Sequence, residues 1–129
     1  MNICRSELRF IKTILVVDGN EDTMQVFARI LRKRGFAVDL AKDNEDALSI
    51  IENDSCDAVL VSLEYSDVGG GDVLFFSKKA LPKAKRFLEK DLDALQISVP
   101  SAEIGATAIF SKPVAPEKLL YEIEQGFEN

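Results

Sequence analysis

The chain has 129 residues, 47% of them hydrophobic and 29% charged, with a net charge of −6 and no histidine. That length suits one domain around a single core, and the composition is that of a globular rather than a disordered chain. An acidic balance argues against a general nucleic-acid binder, and the lack of His excludes His-ligated metals, Ser-His-Asp triads and imidazole acid–base chemistry.

Residues 1–11 read as a leader without the apolar h-region of a signal peptide, and residues 12–129 as the domain. No stretch approaches the roughly 18 apolar residues of a membrane span, so the expected location is cytoplasmic, away from membranes. Cys4 and Cys56 form no CxxC motif and fit two reduced thiols there.

Residues 13–17, TILVV, are β-branched and continuously apolar, which predicts a buried strand. In the DGNED that follows, Asn20 suits a helix N-cap, and Glu21 and Asp22 suit the positive end of a helix. The spacing of Met24, Phe27, Ile30 and Leu31 predicts one apolar face on a helix over 21–34, stopped by Gly35. Residues 36–40, FAVDL, read as a second strand. Asp43 or Asn44 then caps a helix with Ala47, Leu48, Ile50 and Ile51 inward. Residues 57–63 contain AVLV without alternation, as in a strand covered on both faces, ending at the polar Ser62. This βαβαβ order with short connections predicts a parallel sheet, whose chemistry collects at the carboxyl ends of its strands.

Residues 64–71, with glycines at 69–71, read as a loop. Three placements of a fourth strand stay open within 72–99. The preferred one is VLFF at 73–76, followed by a helix over 82–96. The others are a helix over 72–81 with the strand near 84–88, or a strand at 95–99 after a long helix. After a turn at 105–106, TAIF at 107–110 reads as the last strand. Pro116 suits the first position of a helix over 117–127, with Leu119, Leu120 and Ile123 inward.

ILVVDGNED (14–22), DAVLVSL (57–63) and GATAIFSKPVAPEKLL (105–120) resemble the receiver domain of bacterial response regulators, the chemotaxis type. The resemblance implies a flavodoxin-like (βα)5 three-layer sandwich with a five-stranded parallel sheet, divergent around the third and fourth helices. In the family, two acids follow the first strand, a phosphoacceptor aspartate ends the third, a Ser or Thr ends the fourth, and Lys-Pro follows the fifth. The aspartate takes a phosphoryl group from a histidine kinase, with Mg²⁺ held by the carboxylates. Here Asp18 matches the first acid, Gly19 stands in place of the second, Ser62 stands at the phosphoacceptor position, and Lys112 with Pro113 matches the Lys-Pro. Ile109 takes the place of an aromatic switch residue. For the fourth-strand hydroxyl, Ser77 and Ser98 are both open.

Mg²⁺ wants oxygen ligands, normally one or two carboxylates plus waters and phosphate. Asp18 and a neutral hydroxyl are a poor set, and a serine without a neighbouring base is a poor nucleophile. The expectation is a vestigial pocket of Asp18, Ser62 and Lys112, without catalysis, metal or cofactor. Ser62 is expected to be a hydrogen-bonded strand-end residue, and Asp18 and Lys112 a remaining ion pair. Glu64, Asp67 and Asp72 read as solvated loop acids. Lys78, Lys79, Lys83, Lys85, Arg86 and Lys90 form a basic run, either a solvated face or a docking patch for an acidic partner.

The expected function is a phosphorylation-independent adaptor that works by protein–protein contact, as a monomer or weak homodimer, through 72–104 with the last strand and helix. The alternative is a phosphorelay receiver that accepts phosphate at a non-standard acid or at Ser62. Small-molecule binding at the strand ends and nucleic-acid binding through the basic run stand behind these.

Overall fold

The structure, a computed structural model, describes residues 11–53, 56–63, 70–90, 106–111 and 114–128. In chain order they form β1 (Thr13–Val17), α1 (Glu21–Lys33), β2 (Ala37–Ala41), α2 (Asn44–Asn53), β3 (Ala58–Leu63), α3 (Gly70–Ala80), β4 (Lys85–Lys90), β5 (Ala108–Ser111) and α4 (Pro116–Glu128). The strands make one five-stranded parallel sheet in the order β2-β1-β3-β4-β5. This is the flavodoxin-like receiver architecture that the sequence led us to expect.

The unbroken apolar runs of β1 and β3 make sense once both faces of the sheet are seen to be covered. Leu15, Val17, Val59, Val61 and Leu88 point to one side, where Ala47 and Ile51 of α2 and Val73 and Leu74 of α3 pack on them. Ile14, Val16, Ala58, Leu60 and Phe87 point to the other, against Met24, Phe27 and Leu31 of α1 and Leu119, Leu120 and Ile123 of α4. The period-2 alternation of each strand therefore feeds two cores with one sheet between them.

Helix ends follow their local signals. Asn20 Oδ1 accepts the Thr23 backbone N–H at 3.0 Å, which caps α1, and Asp43 Oδ1 accepts the Asp46 N–H at 2.8 Å, which caps α2. Gly35 sits at φ 94°, and the Phe36 N–H turns back to the Leu31 carbonyl at 3.2 Å. That left-handed stop is one that glycine makes without strain.

The preferred placement of the fourth strand is overturned. VLFF lies in α3, and β4 is Lys85–Lys90, close to the second placement. Parallel neighbours need a crossover of a dozen or more residues, and a strand at 73–76 would leave no room for a helix after β3. In α3, Val73, Leu74 and Ser77 are buried while Phe75 is exposed, a helical rather than a strand pattern. Gly70 and Gly71, expected in a loop, belong to the first turn of α3. The helix expected over 82–96 is replaced at its start by a tight turn and β4, and the strand proposed at 95–99 lies outside the described residues.

One contact ties α4 closely to the sheet. A Cβ on Gly126 would stand 2.9 Å from Cζ of Phe87, whose ring is fully buried and stacked on Phe110 at 6.5 Å. Glycine at 126 thus allows a helix-to-sheet approach that alanine would obstruct.

Candidate functional site

The carboxyl end of the sheet is built from the ends of β1, β3 and β4. Val17 pairs with Val61, so Asp18 and Ser62, one residue further on, stand level; Ser62 itself pairs with Glu89. Counting the alternation forward from Ile14–Val16, Ala58–Leu60 and Phe87, all three belong to the α1/α4 side of the sheet. Asp18, Ser62 and Glu89 therefore form a row on one face, on adjacent strands, and all are buried, with exposures of 2%, 4% and 3%.

Each member of the row is held differently. Asp18 Oδ1 accepts the Asn20 backbone N–H at 2.8 Å, and the Asp18 N–H donates to Ala41 at 3.1 Å, which extends the β1–β2 ladder. Ser62 was expected to be hydrogen-bonded. Instead its buried Oγ has no hydrogen-bond partner among the described residues. The apolar run that buries the strand also carries this hydroxyl below the surface, where the neighbours on its own level are acceptors when ionised. A cleft of about 250 Å³ opens over Asp18, Gly19 and Ser62 and is bounded by Lys42, Asp43 and Asn44.

Glu89 is the site residue that sequence reasoning missed. It ends the fourth strand, the position to which the resemblance gives a Ser or Thr. Ser77, one candidate for that hydroxyl, is buried inside α3 with its Oγ donating to the Leu74 carbonyl at 2.8 Å. Ser98, the other, lies outside the described residues, as do Lys112 and Pro113, and with them the expected Asp18–Lys112 pair. Glu64 and Asp67 also lie outside them, whereas Asp72 belongs to the first turn of α3. Ile109 is placed on β5 and is 40% exposed. Among the described residues no three His, Cys, Asp or Glu side chains cluster as a metal site would require.

The basic run is divided by the fold. Lys78, Lys79 and Lys83 are exposed and Lys85 is half-buried. Arg86 turns inward at 8% exposure, and its Nη1 donates to the Leu81 carbonyl at 3.3 Å. Burial pulls the guanidinium below its ordinary pKa. Lys90 ends β4 at the opposite end of the sheet from Lys85. Arg86 and Lys90 therefore stand apart from Lys78, Lys79 and Lys83, which gather at the end of α3 and in the turn after it.

That turn borders a second cleft, of about 290 Å³, at the amino-terminal ends of β3 and β4. Cys56 lines it with its thiol buried. Burial, with Asp57 and Asp39 nearby, pushes that thiol up to about 11.

A parallel five-stranded sheet between two helical layers, with acids and a hydroxyl at its strand ends, defines a receiver-type signalling domain. The family model "Response regulator receiver domain" matches residues 14–124, and the chain belongs to that family. Among solved structures, a CheY-like response regulator receiver domain protein from Methanospirillum hungatei JF-1 matches with a TM-score of 0.83 and 30% identity, covering 92% of this chain and 94% of that one. Among curated proteins, the photosynthetic apparatus regulatory protein RegA of Rhodobacter capsulatus is 26% identical over 84% of this chain and 59% of its own length. A cyclic di-GMP phosphodiesterase of Thermotoga maritima is 28% identical over 91% of this chain and 31% of its own length. The chain spans 24% to 64% of the length of the first curated relatives it matches. No helix among the described residues is long and apolar enough to cross a membrane.

Proposed function

We propose that this receiver domain signals without being phosphorylated, as a cytoplasmic protein–protein adaptor rather than an enzyme. The observation that carries this is Ser62, a buried hydroxyl on the strand end where the family resemblance puts the phosphoacceptor. Transfer from a phosphohistidine needs a carboxylate nucleophile and a cation that neutralises phosphate charge. Gly19 and Ser62 supply neither, and Asp18 already commits one oxygen to the Asn20 amide. Glu89 restores a carboxylate one strand away, but on a longer side chain and below the surface. We therefore assign it no bound Mg²⁺ and no cofactor. Protein partners in a signalling pathway, and a monomeric or weakly dimeric state, complete the reading. The net charge of −6 opposes nucleic acid as a partner.

The test is a calorimetric Mg²⁺ titration with and without beryllofluoride, an aspartyl-phosphate mimic, followed by amide shifts. The expected outcome is no binding at millimolar Mg²⁺ and no shift at Asp18, Ser62 or Glu89. Saturable binding with shifts at those positions overturns the reading in favour of a phosphorelay receiver that uses Glu89, another acid or Ser62.

A further inference from the structure

At the amino-terminal end of the sheet, the cleft beneath α3 takes its walls from Ala80, Leu81, Pro82 and Ala84 and reaches the buried Cys56. It is preformed. The Leu81 N–H donates to Ser77 at 2.7 Å, the Ala84 N–H to Leu81 at 3.0 Å and the Lys85 N–H to Asp57 at 2.9 Å. The buried Arg86 side chain donates to the Leu81 carbonyl from below. A partner would therefore meet a fixed apolar wall and order little of it on binding.

The rim is positive. Residues 77–86, SKKALPKAKR, hold five basic residues and no acid, in a chain whose net charge is −6. Lys83 lines the cleft and is exposed, and Lys78 and Lys79 are exposed on the last turns of α3. Lys79 Nζ lies 4.8 Å from the ring centroid of Phe75, which is 44% exposed. A cation and an apolar ring thus sit together on the exposed side of α3, and Lys79 directly precedes Ala80, the first residue of the cleft wall. The acid lining the cleft is Asp57, whose Oδ2 accepts the Thr13 amide at 2.8 Å.

We propose that this cleft docks an acidic segment of the partner protein, with one leucine- or phenylalanine-sized side chain in the cleft and flanking Asp or Glu residues on Lys79 and Lys83. This rests on the adaptor reading and supplies the chemistry of its partner. The apolar anchor sets how long the complex lasts, and the lysines set how fast and how selectively it forms.

The experiment uses the full chain and a fluorescein-labelled peptide of Glu and Asp around a central Leu-Phe pair. Binding is read by anisotropy and located by amide shifts. The proposal expects saturable binding with shifts confined to 56–57 and 75–85. Replacing Leu-Phe by Ala-Ala should weaken binding about tenfold, as should the double variant Lys79→Glu, Lys83→Glu, and added salt should weaken it further. Both lysines are exposed, so an unchanged thermal midpoint shows that the double variant is folded. The proposal is overturned by no saturation at millimolar peptide, by shifts centred on Asp18 and Ser62 or on β5 and α4, by a double variant that binds as well as the parent, or by equal binding of an acidic peptide without the apolar pair. A single-stranded DNA oligomer that binds as well as the peptide overturns it in favour of a generic polyanion surface. If the peptide fails and beryllofluoride is inert, this cleft is wrong and the adaptor reading stands. If the peptide binds and beryllofluoride also binds, the cleft stands and phosphorylation independence falls.

Discussion

At the carboxyl end of the sheet, three polar side chains on adjacent strands, Asp18, Ser62 and Glu89, are buried together on one face. At the amino end, the buried groups are chiefly apolar or neutral, among them Cys56, Ala84 and the α4 backbone at Gly126 against Phe87; the buried cation Arg86 donates to the Leu81 carbonyl, and Lys79 and Lys83 remain outside. The same strands run through both ends, so the contrast comes from a few terminal residues and not from the fold. It teaches that the two ends should fail differently. The carboxyl end is limited by how much charge it can bury, and the amino end by how much volume it can accept.

The largest effect should come from adding charge to the row. Ser62→Asp would place a third carboxylate between Asp18 and Glu89, at a site that is now 4% exposed. We expect a loss of about 3 kcal/mol at pH 7, read from urea unfolding, as for a carboxylate added at a buried position level with two others. Burial and two acidic neighbours raise the folded-state pKa of the new acid above its unfolded value. The penalty is therefore present above the unfolded value and relieved as pH falls, so the variant should approach the parent near pH 4. Equal stability at pH 7 would mean that the three positions do not share one environment.

The amino end can be sharpened through Cys56. With its thiol pushed up to about 11, little thiolate exists at pH 8, and a disulfide reagent should label Cys56 in a Cys4→Ser background about a hundredfold more slowly than a small model thiol. The raised value also has a stability sign. The contribution is intact below about 9 and is lost as pH rises from there through about 11. Fast labelling at pH 8 would show that the cleft opens far more than the hydrogen-bonded turn allows.

The smallest of these effects tests volume. Gly126→Ala gains helix propensity but drives a methyl to 2.9 Å from a fully buried Phe87 ring, so we expect a net loss of about 1 kcal/mol. A gain in stability would show that Phe87 and Phe110 repack freely, and that the amino end is not volume-limited.

Much of this was legible in the sequence, because the local signals agree with the fold. The runs at β1 and β3, the Asn20 cap, the Gly35 stop and the Leu119–Leu120–Ile123 face all landed where periodicity and capping put them. β4 was obscured because KRFLEK is charged at four of its six positions. Its buried pair Phe87–Leu88 is too short to outweigh the four apolar residues of VLFF. Connection length held the missing information, since a parallel strand cannot follow β3 without a crossover helix. Misplacing β4 hid Glu89. Asp18 and Ser62 were legible because each directly follows or ends an apolar run, but the unsatisfied hydroxyl of Ser62 depends on which neighbours share its level, a property of register rather than composition.

The row also bears on what it would take to build a phosphorylatable pocket here. Set beside the pattern that the family resemblance implies, the hydroxyl stands on the third strand end, at Ser62, and the carboxylate on the fourth, at Glu89. An acid at 62 alone would put three carboxylates on one level while Gly19 still stands in place of the second acid, and a hydroxyl at 89 alone would leave Asp18 as the one carboxylate of the row. On the adaptor reading, a phosphorylatable pocket would therefore need changes at several strand ends together, Gly19 included, and no single substitution in the row would supply one.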